Sequence, residues 1–211
     1  PILSRKFSDL PQGKLPERKE PRLSAIEGAK ETVSQKNREQ AQIIFATRTF
    51  PRSDVRSPAM DVLKNILSGS MSSRLFINLR DKESLAYAVW ASNVGTSNHG
   101  YFYATLSTAA GKLETAKKRL VEELTKVRTE GFSDVEFNDA KSFLLGQYAL
   151  SLVDNISQAE TFASDEFFGL GFDYYQKYPD KVKAVKKEDV MGVAQEFMAG
   201  KIGYILGVTK P

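Results

Sequence analysis

The 211 residues contain no cysteine, a single histidine (His99) and a single tryptophan. Without cysteine there are no disulfides, no thiol nucleophile and no thiolate metal site, and the redox compartment is left open. A hydrolytic zinc centre needs about three protein ligands and an open position. One histidine falls short of that, and neither H-E-x-x-H nor its inverse H-x-x-E-H occurs. No G-x-S-x-G elbow is present, and a lone histidine offers no triad. No apolar run approaches the ~20 residues of a membrane-spanning helix. Pro1 to Lys6 do not form a signal peptide. A start without Met reads as a processed or cut end, which leaves a signal on an upstream part open.

What is present is ordinary for a globular protein: 41% hydrophobic and 27% charged residues, with a net charge of +4. The basic residues are interleaved with acids, as in Lys117-Lys118-Arg119 followed by Glu122-Glu123. No compact basic run with interleaved aromatics marks a nucleic-acid interface.

Ile2, Leu3, Phe7 and Leu10 fall at roughly helical spacing and read as the tail of a helix. Pro11 to Pro21, with three prolines and a glycine among charges, reads as a linker. Residues 1–23 are therefore expected to be a terminal helix plus linker, and 24–211 the main domain. Strands are expected over Glu31–Gln35 and Gln42–Phe50, joined by a turn near Asn37-Arg38. Pro58 sits where a first helical turn tolerates it, ahead of the stripe Met60, Leu63, Ile66 and Leu67. A short helix follows from Ser73 to Lys82. Ala86–Val94 and Tyr101–Thr108 read as a hairpin turning through Thr96 to Gly100.

The second half reads as helical. Leu113, Ala116, Leu120, Leu124 and Val127 line one helix face. Ser133 and Glu136 have capping-box spacing ahead of a helix expected to bury Ala140, Phe143, Leu144 and Ala149. Further helices are expected from Ser157 to Phe168 and from Glu188 to Ala199, stopped by Gly200. Ile202–Val208 reads as a last strand. The order predicts an α+β fold, an antiparallel sheet with helices layered on one face.

Chemistry has few places to sit. His99 lies between Asn98 and Gly100 and reads as a solvent-exposed turn residue rather than a ligand. Ser68 to Ser73 has the look of an anion-binding loop but lacks the Gly-Lys-Ser/Thr ending of a P-loop, so a helix stop followed by an N-cap explains it better. Glu122-Glu123 reads as a solvated helix face. Taken singly, Arg80 complements a helix C-terminus and Tyr87 opens a strand.

Together they carry more. Ser72-Ser73-Arg74-Leu75-Phe76 through Leu79-Arg80 to Leu85-Ala86-Tyr87 resembles the C-terminal half-domain of M16 metallopeptidases, the pitrilysin and mitochondrial-processing-peptidase family. Bacterial members carry a similar S-S-R-L-F-x-x-L-R-x-x-x-x-L-A-Y run. Asp61 to Gly69 resembles the family helix before it. Phe172 to Tyr175 and Val182 through Val190 to Ala194 resemble its C-terminal helices. Glu83-Ser84 departs from the basic residue and Gly often found there.

The resemblance implies a half-domain that holds no metal. It faces Arg80 and Tyr87 toward zinc held by a partner half bearing H-x-x-E-H, which leaves this chain inactive alone. Residues 1–23 would then be the terminal helix of a preceding half-domain and its linker, whether the chain is a fragment or a separate subunit. Peptides are the implied substrates, in a soluble protein of a bacterial cytoplasm or periplasm. A scaffold relative and a peptide-binding module of the same fold remain open, and the presence of both Arg80 and Tyr87 favours the peptidase.

Overall fold

The computed structural model describes residues 2–11, 13–14, 26–35, 39–198 and 204–210. Five strands form one sheet: β1 (Ala29–Gln35), β2 (Gln40–Thr49), β3 (Ala88–Gly95), β4 (Gly100–Ala109) and β5 (Tyr204–Lys210), in the order β1-β5-β2-β4-β3. Alternation along β2 and β4 builds the core. Ala41, Ile43 and Phe45 face inward beside Phe102, Ala104 and Leu106, and all six are buried. Each large apolar side chain so buried contributes roughly 1.5–3 kcal/mol.

The helices lie on that inward face. α2 (Ser57–Ser68) starts with Pro58 in its first turn and buries Met60, Leu63, Ile66 and Leu67. α3 (Leu113–Thr129) buries Leu113, Ala116, Leu120, Leu124 and Val127, the face expected of its periodicity. α4 (Asp134–Leu150) is capped by the Ser133–Glu136 box. α5 (Asn155–Phe167), α6 (Tyr174–Ala184) and α7 (Lys187–Phe197) complete the layer. α2, α3 and α7 contact the sheet, while α4 and α6 pack on α2 and α5 on α6.

Several local expectations change. Of the residues expected to anchor α4, Ala140 is buried, Phe143 and Leu144 are half-buried, and Ala149 is exposed. α4 packs on α2 and α6 rather than on the sheet, so its far end leaves the core. α5 begins at Asn155, because Asp154 caps it by accepting from the amides of Ile156 and Ser157, both at 2.9 Å. At the start of the chain, α1 (Ile2–Lys6) is one short turn with Ile2, Phe7 and Leu10 exposed around it. The turn at Asn37-Arg38, most of the linker with the boundary at 23–24, the stop at Gly200 and the first residues of the last strand lie outside the described residues.

The α+β class stands, and three of the four strand pairings, β3–β4, β4–β2 and β2–β5, are antiparallel. The exception is β1, parallel to β5 with Val33 opposite Val208. β1 and β2 run in opposite directions but are not paired. β5, arriving from the far end of the chain, fills the slot between them, antiparallel to β2 and so parallel to β1.

The outer face of the sheet carries Ile44, Thr105 and Trp90 in one row across β2, β4 and β3. Ile44, Trp90 and Tyr101 are exposed there, and the Tyr101 and Tyr103 rings lie 6.0 Å apart.

Candidate functional site

After Ser73 the chain makes a helical turn that widens into a π-helix over Phe76–Lys82. Such turns are uncommon and often found at functional sites. Leu75 and Leu79, fully buried, anchor it to the core. Their spacing fits an α- or a π-turn equally, so the sequence expectation of a short helix holds without distinguishing them. Arg80 projects from the exposed side, its guanidinium 4.8 Å from the Phe76 ring. Among the described residues no carboxylate pairs with it.

Past Lys82 the chain doubles back. The Arg80 carbonyl accepts from the amides of Glu83 and Ser84, and Ser84 takes a φ of 50° to close the turn. That left-handed conformation suits glycine better than serine. The Leu79 carbonyl then accepts from Leu85 at 2.8 Å and from Ala86 at 3.2 Å. Leu85 and Ala86 are buried. Tyr87 enters the sheet through its amide, which donates to the Ser107 carbonyl at 2.9 Å, while its side chain is 56% exposed. Arg80 and Tyr87 thus each adjoin one end of the hydrogen bond between Ala86 and Leu79. Both side chains are accessible.

A polar brace beneath this loop was not foreseen. Glu123, read as part of a solvated face, is only 2% exposed. It accepts from Asn78 at 2.8 Å and from Arg119 at 3.0 Å. Arg119 also holds Glu83 through Nε and Nη2 and Glu122 through Nη1 at 2.7 Å. Hydrogen bonding from Arg119 keeps the Glu83 and Glu122 carboxyls below the usual range. Lys112 adds a bond to the Ser84 carbonyl at 2.8 Å. The i, i+4 spacing of Arg119 and Glu123 was visible in the sequence; that α3 turns Glu123 under Asn78 was not.

His99 does lie in the β3–β4 turn, where its carbonyl accepts from the Thr96 hydroxyl at 2.7 Å. It is half-buried rather than exposed, with Nδ1 enclosed and unpartnered. At the next residue the backbones run close together: a Cβ at Gly100 would lie 2.3 Å from the Phe50 carbonyl. Among the described residues no three His, Asp or Glu side chains are grouped to hold a metal ion. Nor is any helix there long and apolar enough to cross a membrane. In the Ser68–Ser73 stretch, Gly69 ends α2 with its amide on the Asn65 carbonyl at 3.0 Å.

The family profile described as the peptidase M16 inactive domain matches residues 1–144. An uncharacterized zinc protease of Streptomyces coelicolor is 35% identical over 127 residues, covering 60% of this chain and 28% of that protein. The Bacillus subtilis uncharacterized zinc protease YmxG is 26% identical over 83% of the chain and 42% of its own length. A Helicobacter pylori protein named as a non-peptidase homolog is 29% identical over 89% of the chain and 43% of its own. The chain therefore spans less than half the length of these relatives. In fold it is similar to the crystal structure of a peptidase M16 inactive domain from Pseudomonas fluorescens. That match has a TM-score of 0.88 at 20% identity, over 100% of this chain and 49% of the other. A Helicobacter pylori protease structure matches equally, with a TM-score of 0.88 at 19% identity, over 100% and 51%. Profile, relatives and fold agree: the chain belongs to the M16 peptidase family, as the metal-free C-terminal half-domain of zinc-protease-like proteins.

Proposed function

We propose that this half-domain completes a zinc peptidase whose other half carries H-x-x-E-H, and that Arg80 and Tyr87 are its contribution to the shared site. The observation that carries the reading is local. Two accessible polar side chains, neither held by a hydrogen bond or ion pair among the described residues, flank one doubled-back backbone turn.

Zinc in the partner half would supply an activated water. This chain would bind and orient the peptide. A guanidinium is always charged and offers paired donors to a peptide carbonyl. The Tyr87 hydroxyl can donate to the negative charge developing on the scissile carbonyl oxygen, where one such donor is worth roughly 10²–10³ in rate. The outer sheet face, with Trp90, Tyr101 and Ile44 exposed, suits an extended and mostly apolar peptide segment. Without the partner half the chain would lack the zinc that this mechanism uses to activate water, and it is expected to be inactive alone.

The Helicobacter pylori relative's name favours a second reading, an assembly or peptide-binding role without chemistry. A cleavage assay on the chain joined to its partner half, with and without Tyr87→Phe, decides between them. A loss of turnover with complex formation intact supports the peptidase. Equal turnover in both proteins would leave Tyr87 outside the chemistry of a working peptidase, and no turnover in either supports the second reading.

A further inference from the structure

A second polar site lies away from the Arg80–Tyr87 turn. The end of α4, the length of α5 and the loop after β2 line an open cavity of about 430 Å3. Tyr148 reaches it from α4, Glu160, Thr161, Ser164 and Asp165 from α5, and Arg52 from the loop. Asp165 is the buried residue of α5, at 4% exposure. A helix that packs by burying a carboxyl rather than an apolar side chain is unusual. The Asp165 Oδ2 is shut off from solvent and has no hydrogen-bond partner. Native proteins seldom leave such a group unsatisfied.

The charges around it do not balance. Arg52 is drawn to Asp61, its Nη1 3.6 Å from Oδ2, and the Tyr178 hydroxyl donates to the same oxygen at 2.7 Å. That leaves Asp165 and Glu160 as carboxylates on the cavity without an ion pair among the described residues. Burial pushes the Asp165 carboxyl above the usual range, against the pull of Arg52. Burial also pushes the Tyr148 phenol up to about 12, so it stays a neutral hydroxyl. The terminal torsion of an aspartate is soft, and either oxygen can be turned toward the cavity.

We propose that this cavity binds a primary ammonium group, with Asp165 as its counter-charge and the hydroxyls of Thr161 and Ser164 as further acceptors. An ammonium offers three donors and needs no regular coordination shell. Calcium would want six to eight oxygens, and two carboxylates beside a guanidinium are a poor cage for it. The ammonium group has two sources, a lysine side chain or the amino terminus of a peptide. The site stands apart from the peptidase reading and does not depend on it.

The test follows backbone amide shifts of Thr161, Ser164 and Asp165 by NMR in the 211-residue chain. The chain is titrated with ethylammonium chloride, with sodium chloride and tetramethylammonium chloride as controls. Saturable shifts with ethylammonium alone are expected. Asp165→Asn, which keeps the side-chain shape, should weaken the affinity about tenfold or more, as for loss of a charge-assisted bond. Ser164→Lys, at an exposed position on the cavity, places a tethered ammonium there and should abolish the titration. N-acetyl-lysine methylamide and glycinamide then separate the two sources, the first carrying only a side-chain ammonium and the second only an α-ammonium. Equal shifts with sodium or tetramethylammonium, or unchanged affinity in Asp165→Asn, would overturn the proposal.

Discussion

The carbonyl of Leu79 accepts the amide of Ala86 at 3.2 Å, and through that bond the π-helix and the start of β3 are joined at one point. Leu79 is fully buried and Ala86 nearly so. The junction is therefore rigid underneath, while the residues just beyond each end, Arg80 and Tyr87, stay accessible. A short sequence motif gains a fixed geometry in this way: apolar residues at 75, 79, 85 and 86 hold the backbone, and Arg80 and Tyr87 are left accessible.

The turn that makes this possible is strained at Ser84, with φ at 50°. A non-glycine residue in the left-handed region costs roughly 1–2 kcal/mol. Glycine adopts it freely but gives up more chain entropy on folding, by roughly 0.5–1 kcal/mol. Ser84→Gly should therefore be neutral or stabilising, by up to about 1 kcal/mol in urea denaturation. Ser84→Val, β-branched, should destabilise by more than Ser84→Ala. The reverse order would mean the turn relaxes away from this conformation.

The brace at Arg119 makes a different prediction. Arg119→Met removes the partner of Glu83 and one of the donors to buried Glu123, and should cost about 1–3 kcal/mol. The folded-state carboxyl of Glu83 lies below its unfolded value, so the stabilisation is present at neutral pH. It fades as pH falls through the folded value, below the ordinary Glu range near ~4.3. Parent and variant should thus converge in stability in acid. Hydrogen exchange at residues 83–87 should quicken in the variant at neutral pH. Unaltered exchange there would show that Lys112 and the Leu79 carbonyl hold the loop without Arg119.

Asp165 predicts the opposite pH dependence. Its carboxyl is raised in the folded protein, so the unfolded chain gives up that proton first as pH rises. Stability is lost between the unfolded and folded values and stays lost above them. Asn mimics the protonated form. Asp165→Asn should therefore melt higher than the parent at pH 7, by about 1 kcal/mol or more of stability, and match it well below pH 4. A variant less stable at neutral pH would mean that the carboxylate already has a donor.

Much of this was readable in advance, and the reasons are specific. The α3 stripe, the Ser133–Glu136 cap and the hairpin closing at Gly100 depend on residues close together in sequence, so local rules reach them. The Arg80–Tyr87 spacing was likewise local. What escaped the reading depends on distant partners. β5 slides between β1 and β2 from the other end of the chain, and no pattern within β1 says which strand it will meet. Glu123 and Asp165 sit on helices whose charged residues are mostly outward. Glu123 is buried under Asn78 and Arg119, and Asp165 shares its pocket with Tyr148 of α4 and Arg52 of the loop after β2.

The most direct consequence concerns the proposed shared site. Tyr87→Phe removes one hydroxyl from a side chain that is more than half exposed and has no hydrogen-bond partner among the described residues, so folding and assembly should be untouched. If the hydroxyl stabilises charge that exists only in the transition state, kcat and kcat/KM fall together by about 10²-fold or more. Arg80→Ala removes a permanent charge that also holds the ground-state peptide, so KM should rise as well as kcat fall. Arg80→Lys keeps the charge and loses the paired donors; it should lie between the parent and the alanine variant. Each protein is measured with the partner half on a short unfolded peptide, with complex formation followed separately. A loss of activity that merely tracks loss of the complex would assign both residues to the interface. Full activity in both Tyr87→Phe and Arg80→Ala would leave the pair as surface residues with no part in the chemistry.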